Sequence, residues 1–242
     1  YLRLSVADKC NLRCFYCLPE GFRDFEEPDN WLRFDEIERV VAAFAGLGVK
    51  RIRLTGGEPL VRRDLPRLAA RLAALPGVED LSLSTNATLL QRHAGELRQA
   101  GVSRINVSLD SLDESRFEKI TGGSLQPVLD GLMAAKQSGF DPIKINVVVQ
   151  RRVNDNTILD LLAHFRGSGH IVRLIEFMDV GNRNGWSLDQ VVPSRVLLDQ
   201  VQKRWPLRRM DQNYPGEVAH RYEYVDGQGE IGFISSVTAP FC

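Results

Sequence analysis

Six short stretches of the chain alternate apolar and polar residues with a period of two: "YLRLSV", "KRIRLT", "DLSLS", "SRINVSL", "PIKINVVV" and "HIVRLIEF". Between them, apolar residues recur every three or four positions, as in "FDEIERVVAAFAGLGV", "DLPRLAARLAAL", "LQRHAGELRQAG" and "PVLDGLMAAKQSG". Successive side chains of a strand point to opposite faces, whereas a helix returns to one face after about 3.6 residues, so the two periods predict strands alternating with helices. The punctuation agrees: Asp35 falls in the first turn of one predicted helix, and Gly48, Gly77, Gly101 and Gly139 sit close behind the ends of that helix and three others. Such alternation predicts a parallel sheet under helices, and right-handed crossovers curl six strands into an open barrel. The expected fold class is α/β: an open six-stranded parallel (β/α)6 partial TIM-type barrel over residues 1–181, then a lateral C-terminal extension, residues 182–242, containing antiparallel strands.

The phase of the strands carries a second expectation. A TIM-type barrel usually fills its interior with branched apolar side chains. Here one phase of the first five strands is apolar (Leu2, Leu4; Ile52, Leu54; Leu81, Leu83; Ile105, Val107; Ile143, Ile145) and belongs under the helices. The other phase is polar: Arg3 and Ser5, Arg53 and Thr55, Ser82 and Ser84, Asn106 and Ser108, Lys144 and Asn146. These residues should line the lumen, which is then a hydrogen-bonding cavity. The sixth strand fits less well, because Arg173 shares its phase with Ile171 and Ile175. Buried cations at Arg3, Arg53 and Lys144 are costly without an anion, so a phosphorylated or carboxylated ligand is expected; the competing expectation is a structural ion network with Asp110 or Glu176.

Composition changes this picture little. The 242 residues carry 31 basic and 31 acidic side chains with neither sign in a long block, which argues against a nucleic-acid coat or a basic membrane patch and leaves any anion to individually placed residues. With no run of 18 apolar residues and no signal peptide, the cytosol is the expected compartment. The conspicuous stretches gather at the C-terminal ends of the predicted strands, where such barrels place their chemistry: "DKCNLRCFYC", "TGGEP", "STNA", "SLD", "VVVQ" and "EFMDVGN". In "TGGEP", Gly56 and Gly57 permit close backbone approach to a ligand, and Glu58 could accept a hydrogen bond from an amine.

Three of the four cysteines, Cys10, Cys14 and Cys17, fall within eight residues at CxxxCxxC spacing, and the fourth, Cys242, is the last residue. A chain of this size without export signals has little use for disulfides. Structural zinc wants four closed ligands, usually as two separated pairs, and the second pair is missing. The remaining candidate is an iron-sulfur cubane, normally held by four thiolates; three leave one iron open to a small molecule.

CxxxCxxC with an aromatic before its last cysteine resembles the signature of the radical S-adenosylmethionine enzymes, and "GGEP" after a strand resembles the element that in that family receives the methionyl amine of S-adenosylmethionine. Across essentially the whole chain, "YLRLSVADKCNLRCFYCLPEG", "RIRLTGGEPLVRRDL", "INVSLDSLD", "IKINVVVQRRVND", "IEFMDVGNRNGW" and "ISSVTAPFC" are similar to the family of GTP 3',8-cyclases, lyases of molybdenum cofactor biosynthesis. The resemblance implies a [4Fe-4S] cluster on Cys10, Cys14 and Cys17, an S-adenosylmethionine site lined by Tyr16, Gly57, Ser108 and Met178, and GTP contacts from Arg3, Arg53, Ser84 and Lys144. No protein residue beyond the cluster and cofactor is implied to be catalytic: a 5'-deoxyadenosyl radical takes hydrogen from ribose C3' and the carbon radical attacks C8 of guanine. It further implies an electron donor such as flavodoxin or ferredoxin, and a homodimer. Another radical S-adenosylmethionine enzyme, peptide-modifying or tetrapyrrole-tailoring, would share the cysteine loop but need no triphosphate site; a zinc-binding or non-catalytic relative is the third reading.

Two departures from the family pattern stand out. Where the family reads "TNG", this chain has Asn86–Ala87, so the turn must either take a negative φ or tolerate strain. In the family the sequence continues past "PFC" to two further cysteines and an arginine cluster, so Cys242 resembles the first ligand of a second cluster that is incomplete in these residues. Either a longer polypeptide continues beyond Cys242 or a natural relative lacks that site; both stay open at this point. In the extension, "NRNGW", "NYPGEVAHRYEY" and "DGQGEIGFISSV" predict a loop, a helix from about Pro193 and two antiparallel strands, with Trp186, Trp205 and Tyr214 as packing anchors. His93, His164, His170 and His220 have no ligand-like spacing to one another and are expected as surface or cap residues.

Overall fold

The computed structural model of the chain describes residues 1–18, 31–178, 180, 185–214 and 216–239. Cys242 and residues 182–184 of "NRNGW" lie outside the described residues. Along the chain the elements are β1 (Leu2–Ser5), α1 (Phe34–Gly46), β2 (Arg51–Thr55), α2 (Leu65–Ala73), β3 (Asp80–Thr85), α3 (Leu90–Gln99), β4 (Arg104–Ser108), α4 (Glu114–Thr121), α5 (Gln126–Gln137), β5 (Lys144–Val149), α6 (Ile158–Phe165) and β6 (Ile171–Glu176). The extension adds α7 (Ser194–Arg204), β7 (Leu207–Arg209), β8 (His220–Tyr224) and β9 (Glu230–Ile234). All six barrel-type strands expected from the alternation are present. Gly48, Gly77, Gly101 and Gly139 have φ of 90°, 87°, 90° and 85°, the left-handed conformation in which glycine ends a helix without a Cβ penalty.

The chain divides into two compact units, the first comprising Tyr1–Leu12, Phe22–Val107 and Gln126–Asp141. In it β1, β2, β3 and β4 lie side by side and parallel. The apolar phase is the buried one: Ile52, Leu54, Leu81, Leu83, Ile105 and Val107 are at most 2% exposed, beneath Leu65, Leu68 and Leu72 of α2 and Leu90 and Leu97 of α3. Each such side chain contributes about 1.5–3 kcal/mol by leaving water. Leu2 and Leu4 of β1, at the end of this strand order, are only half-buried. The polar phase shares the other face, because parallel partners in register point the same way: Arg3 lies opposite Arg53, Arg53 opposite Ser82, and Ser84 opposite Asn106.

The second unit comprises Arg13–Gly21, Ser108–Leu125 and Pro142–Cys242. Its strand order is β5, β6, β9, β8, β7. β5 and β6 are parallel, β9 is parallel to β6 and antiparallel to β8, and β7 is antiparallel to β8. The extension therefore continues a sheet and supplies three strands where the pattern showed two; β7 is only three residues long, too short for alternation to show. Register also accounts for Arg173. It lies opposite Asn146 on one side and Gly232 on the other, so it belongs to the polar row. A Cβ on Gly232 would come within 3.0 Å of Arg173 Cγ, so the glycine makes room for the arginine stem. Trp205 and Tyr224 pack edge to face at 6.2 Å, with the Arg166 guanidinium over both rings, as expected of a packing anchor.

Candidate active site

Within the first unit the loop after β2 is pressed onto the chain leaving β1. Gly57 N–H donates to Ala7 O at 2.7 Å and Glu58 N–H to Lys9 O at 2.9 Å. A Cβ at Gly56 would meet Ala7 O at 2.2 Å, and one at Gly57 would meet Asp8 O and Lys9 O at 2.4 Å each. One close approach that requires these glycines is thus to the backbone leading into the cysteine loop, beside the approach to a ligand expected from the sequence pattern.

Glu58 has a structural task besides the amine acceptance expected of it. Its side chain is 1% exposed. Oε1 accepts from Leu60 N–H at 3.0 Å and Thr85 Oγ1 at 2.7 Å, and Oε2 accepts from Asn86 N–H at 2.7 Å. Burial pushes its pKa above the ordinary glutamate value despite these three donors. The network continues toward the cysteines. Asn86 Nδ2 reaches Asn11 Oδ1 at 2.9 Å and Cys10 Sγ at 3.8 Å, while Asn11 Nδ2 donates to Thr88 Oγ1 at 2.7 Å. Ala87, in the middle of this turn, has φ 63° and is fully buried, so the chain takes the strained alternative. On the polar row, Arg3 is exposed and Arg53 and Ser84 are half-buried. Arg53 Nε lies 3.4 Å from Ser82 Oγ, and its guanidinium sits 5.3 Å from the Tyr1 ring.

In the second unit the loop from Cys14 to Leu18 is a tight turn, with Cys17 N–H and Leu18 N–H both donating to Cys14 O, at 2.9 and 3.1 Å. It is stitched to the end of α4 by Arg13 N–H to Thr121 O, 2.7 Å, and Phe15 N–H to Ile120 O, 3.1 Å. The Tyr16 hydroxyl donates to Asp110 Oδ2 at 2.6 Å, and its ring meets Phe177 edge-on at 6.4 Å. Burial, and then the Asp110 charge, holds the tyrosine pKa well above its usual value; burial also raises Asp110 to about 6. Ser108 is exposed, Lys144 half-buried, and Met178, next to Phe177, 39% exposed. Glu176 is fully buried and accepts from Ser194 N–H at 2.7 Å, Val237 N–H at 2.9 Å, Thr238 N–H at 2.8 Å and Thr238 Oγ1 at 2.5 Å. Its carboxylate therefore fastens the extension to β6, and the expected ion network through Glu176 gives way to backbone donors. Burial alone would raise its pKa, but these donors outweigh it and leave the group below its ordinary value.

Among the described residues Cys10, Cys14 and Cys17 form no disulfide, the first two being half-buried and Cys17 exposed. Among the described residues no three His, Cys, Asp or Glu side chains are grouped around a single metal ion. A cubane takes each thiolate on a different iron, and three uncrosslinked thiols on a segment without regular secondary structure suit it.

The model of the Radical SAM superfamily matches residues 4–165, and that of Molybdenum Cofactor Synthesis C matches residues 170–242. GTP 3',8-cyclase of Xanthomonas axonopodis pv. citri is 53% identical over 250 residues, covering 100% of this chain and 74% of that protein. The chain belongs to the radical SAM superfamily and, within it, to the GTP 3',8-cyclase family. GTP 3',8-cyclase of Acidothermus cellulolyticus is 50% identical over 247 residues, covering 100% of this chain and 68% of that one. Among solved structures, Streptococcus suis SuiB bound to precursor peptide SuiA has a TM-score of 0.67 at 18% identity, over 84% of this chain and 46% of SuiB. That likeness shows the fold: a mixed, mostly parallel α/β sheet with antiparallel C-terminal strands, of the partial-barrel class. Membership of the superfamily implies a [4Fe-4S] cluster and S-adenosylmethionine. No helix among the described residues is long and apolar enough to cross a membrane.

Proposed function

We propose that the chain is a GTP 3',8-cyclase, converting GTP to (8S)-3',8-cyclo-7,8-dihydroguanosine 5'-triphosphate in molybdenum cofactor biosynthesis. The observation that carries this reading is identity of 53% over the whole chain to a GTP 3',8-cyclase. When bound, the cluster and S-adenosylmethionine supply the radical that abstracts hydrogen from ribose C3'. The chain's own part is to hold and orient. Cys10, Cys14 and Cys17 hold the cluster; Tyr16, Gly57, Ser108 and Met178 line the cofactor site; Arg3, Arg53, Ser84 and Lys144 grip GTP. The Arg3–Arg53 register supports the last assignment, since two guanidinium groups opposite one another on one sheet face repel unless an anion joins them. A primary alkyl radical abstracts from whatever carbon it meets, so fixing the triphosphate by several cations is what makes C3' the target.

Residues 1–181 form the core of this reading and residues 182–242 its extension. Cys242 contributes one thiolate to a second cluster. A cytoplasmic homodimer reduced by a flavodoxin or ferredoxin completes the reading. The test is anaerobic reconstitution with GTP and S-adenosylmethionine, reading 5'-deoxyadenosine and the cyclised nucleotide by mass spectrometry. Both products are expected, and Cys14→Ala abolishes both. Release of 5'-deoxyadenosine at the wild-type rate by Cys14→Ala refutes the ligand assignment, and cofactor cleavage independent of GTP with no nucleotide product refutes the substrate.

A further inference from the structure

Asp110, just beyond β4 in "SLD", is 4% exposed, and both carboxylate oxygens are occupied. Oδ2 accepts the Tyr16 hydroxyl at 2.6 Å and Oδ1 accepts Val148 N–H of β5 at 2.8 Å. The backbone beside it is pinned as well. Asn154, 1% exposed, donates from Nδ2 to Asp110 O at 2.9 Å and to Val148 O at 2.8 Å, while its Oδ1 accepts Gln150 N–H at 2.9 Å. Leu109 N–H donates to Asn146 O at 3.0 Å. The carboxylate is thus a fixed point, immobilised through its own main chain and through β5.

The other end of the Tyr16 bond is different in kind. Tyr16 lies between Cys14 and Cys17, in a turn without regular secondary structure, and Arg13 and Phe15 before it supply backbone hydrogen bonds to the end of α4. Tyr16 and Cys17 lie beyond them. A short hydrogen bond from a hydroxyl to a buried carboxylate belongs to the stronger class and holds direction as well as distance. We propose that Asp110 is a positioning residue for the cysteine loop: by holding the Tyr16 hydroxyl it fixes the turn that carries Cys14 and Cys17, and so sets how these two thiolates meet the cluster. The tyrosine ring is fixed at the same time, edge-on to Phe15 at 5.7 Å and to Phe177 at 6.4 Å. With its hydroxyl committed to Asp110, what Tyr16 offers a bound cofactor is its ring and its backbone. Asp110 touches neither reactant, and this role rests on the cluster assignment made above.

Asp110→Asn and Tyr16→Phe, made singly and together, test it. In the metal-free chain, hydrogen exchange of the segment Cys14–Leu18 is expected to rise at least tenfold in each single variant, with the amides of β5 and β6 unchanged, and no further in the double variant than in Tyr16→Phe, because that substitution removes the bond which Asp110→Asn, keeping a neutral amide opposite the hydroxyl, only weakens. In the reconstituted chain the same three variants should release iron to a chelator at least tenfold faster. They should also shift the electron paramagnetic resonance signal of the reduced cluster, and Asp110→Asn should lower kcat for cofactor cleavage while changing KM for S-adenosylmethionine less than threefold. Wild-type exchange in either single variant, or effects that multiply in the double, overturns the proposal. Faster exchange with an unaltered cluster signal and iron release also overturns it, by reducing the bond to a structural tie. Should the wild-type chain take up no cluster, the assignment of function fails, and the exchange measurement still decides whether Asp110 holds the loop.

Discussion

Replacing Glu58 separates two uses of the "GGEP" carboxylate. The side chain is 1% exposed and takes three donors, Leu60 N–H, Thr85 Oγ1 and Asn86 N–H, at 3.0, 2.7 and 2.7 Å. Hydrogen bonds to a charged acceptor are worth about 1.5–3 kcal/mol each, and every buried donor left unpaired costs about 1–3 kcal/mol. Glu58→Ala strands all three donors. Loss of the buried charge recovers part of this, so a net loss of about 3–5 kcal/mol is expected, the scale for breaking a buried charged cluster. Glu58→Gln keeps one oxygen for Leu60 and Thr85 but turns an NH2 toward Asn86 N–H, leaving one donor opposed, and should cost about 1–2 kcal/mol. Urea unfolding of the metal-free chain at pH 7.5 measures both. Because Asn86 also reaches Asn11 and Cys10, Glu58→Ala should in addition retain less iron after reconstitution. If the carboxylate instead received the methionyl amine directly, Glu58→Gln would unfold like wild type and weaken S-adenosylmethionine binding by tenfold or more; that pair of results would falsify the network reading.

Arg53→Ala is expected to weaken GTP binding at least about tenfold by isothermal titration calorimetry while leaving S-adenosylmethionine binding within threefold, since one charge-assisted contact is worth about 1.5–3 kcal/mol; equal losses for both ligands would make Arg53 a support of the sheet. Ala87 has φ 63° and no exposed surface, so in Ala87→Gly the relief of about 1–2 kcal/mol of strain is offset by a lost methyl, about 0.8 kcal/mol, and by glycine's entropy, about 0.5–1 kcal/mol. The unfolding midpoint should therefore barely move, whereas Ala87→Val should lose more than about 2 kcal/mol; a harmless valine would rule out the left-handed turn. Asp110 is raised from 3.8 to about 6, so the folded state holds its proton more tightly than the unfolded chain. Its contribution is fully present below about pH 4 and is lost as pH rises through about 6, by up to ~3 kcal/mol, and Asp110→Asn should flatten the stability of the metal-free chain over that interval; parallel pH profiles for variant and wild type would contradict the shift.

Much of this molecule was legible in the order of its residues. Alternation of period two placed all six parallel strands, because burial on one face leaves a local signature whatever the strand's neighbours are. The same phase drew attention to Arg3, Arg53 and Lys144, since a cation in a strand's polar phase stands out without any knowledge of pairing, but it overstated their burial: Arg3 is exposed and the other two are half-buried. The CxxxCxxC loop was equally local: on the function proposed above, three thiolates that serve one cluster must be close along the chain when a single loop carries them. Register, by contrast, is not written in any one strand. Whether Arg173 joined the polar row depended on its neighbours Asn146 and Gly232, 27 and 59 residues away in sequence, and β9 runs parallel to β6 only because α7 and two further strands intervene. The tasks of the acids were decided there too. Glu58, Asp110 and Glu176 all read as ligand or ion-pair candidates at strand ends, yet each is consumed by donors from distant segments: Thr85 and Asn86, Tyr16 and Val148, Ser194 and Thr238. A carboxylate's partner is set by which backbone N–H groups the fold buries beside it, and those groups carry no side-chain identity for a sequence to display.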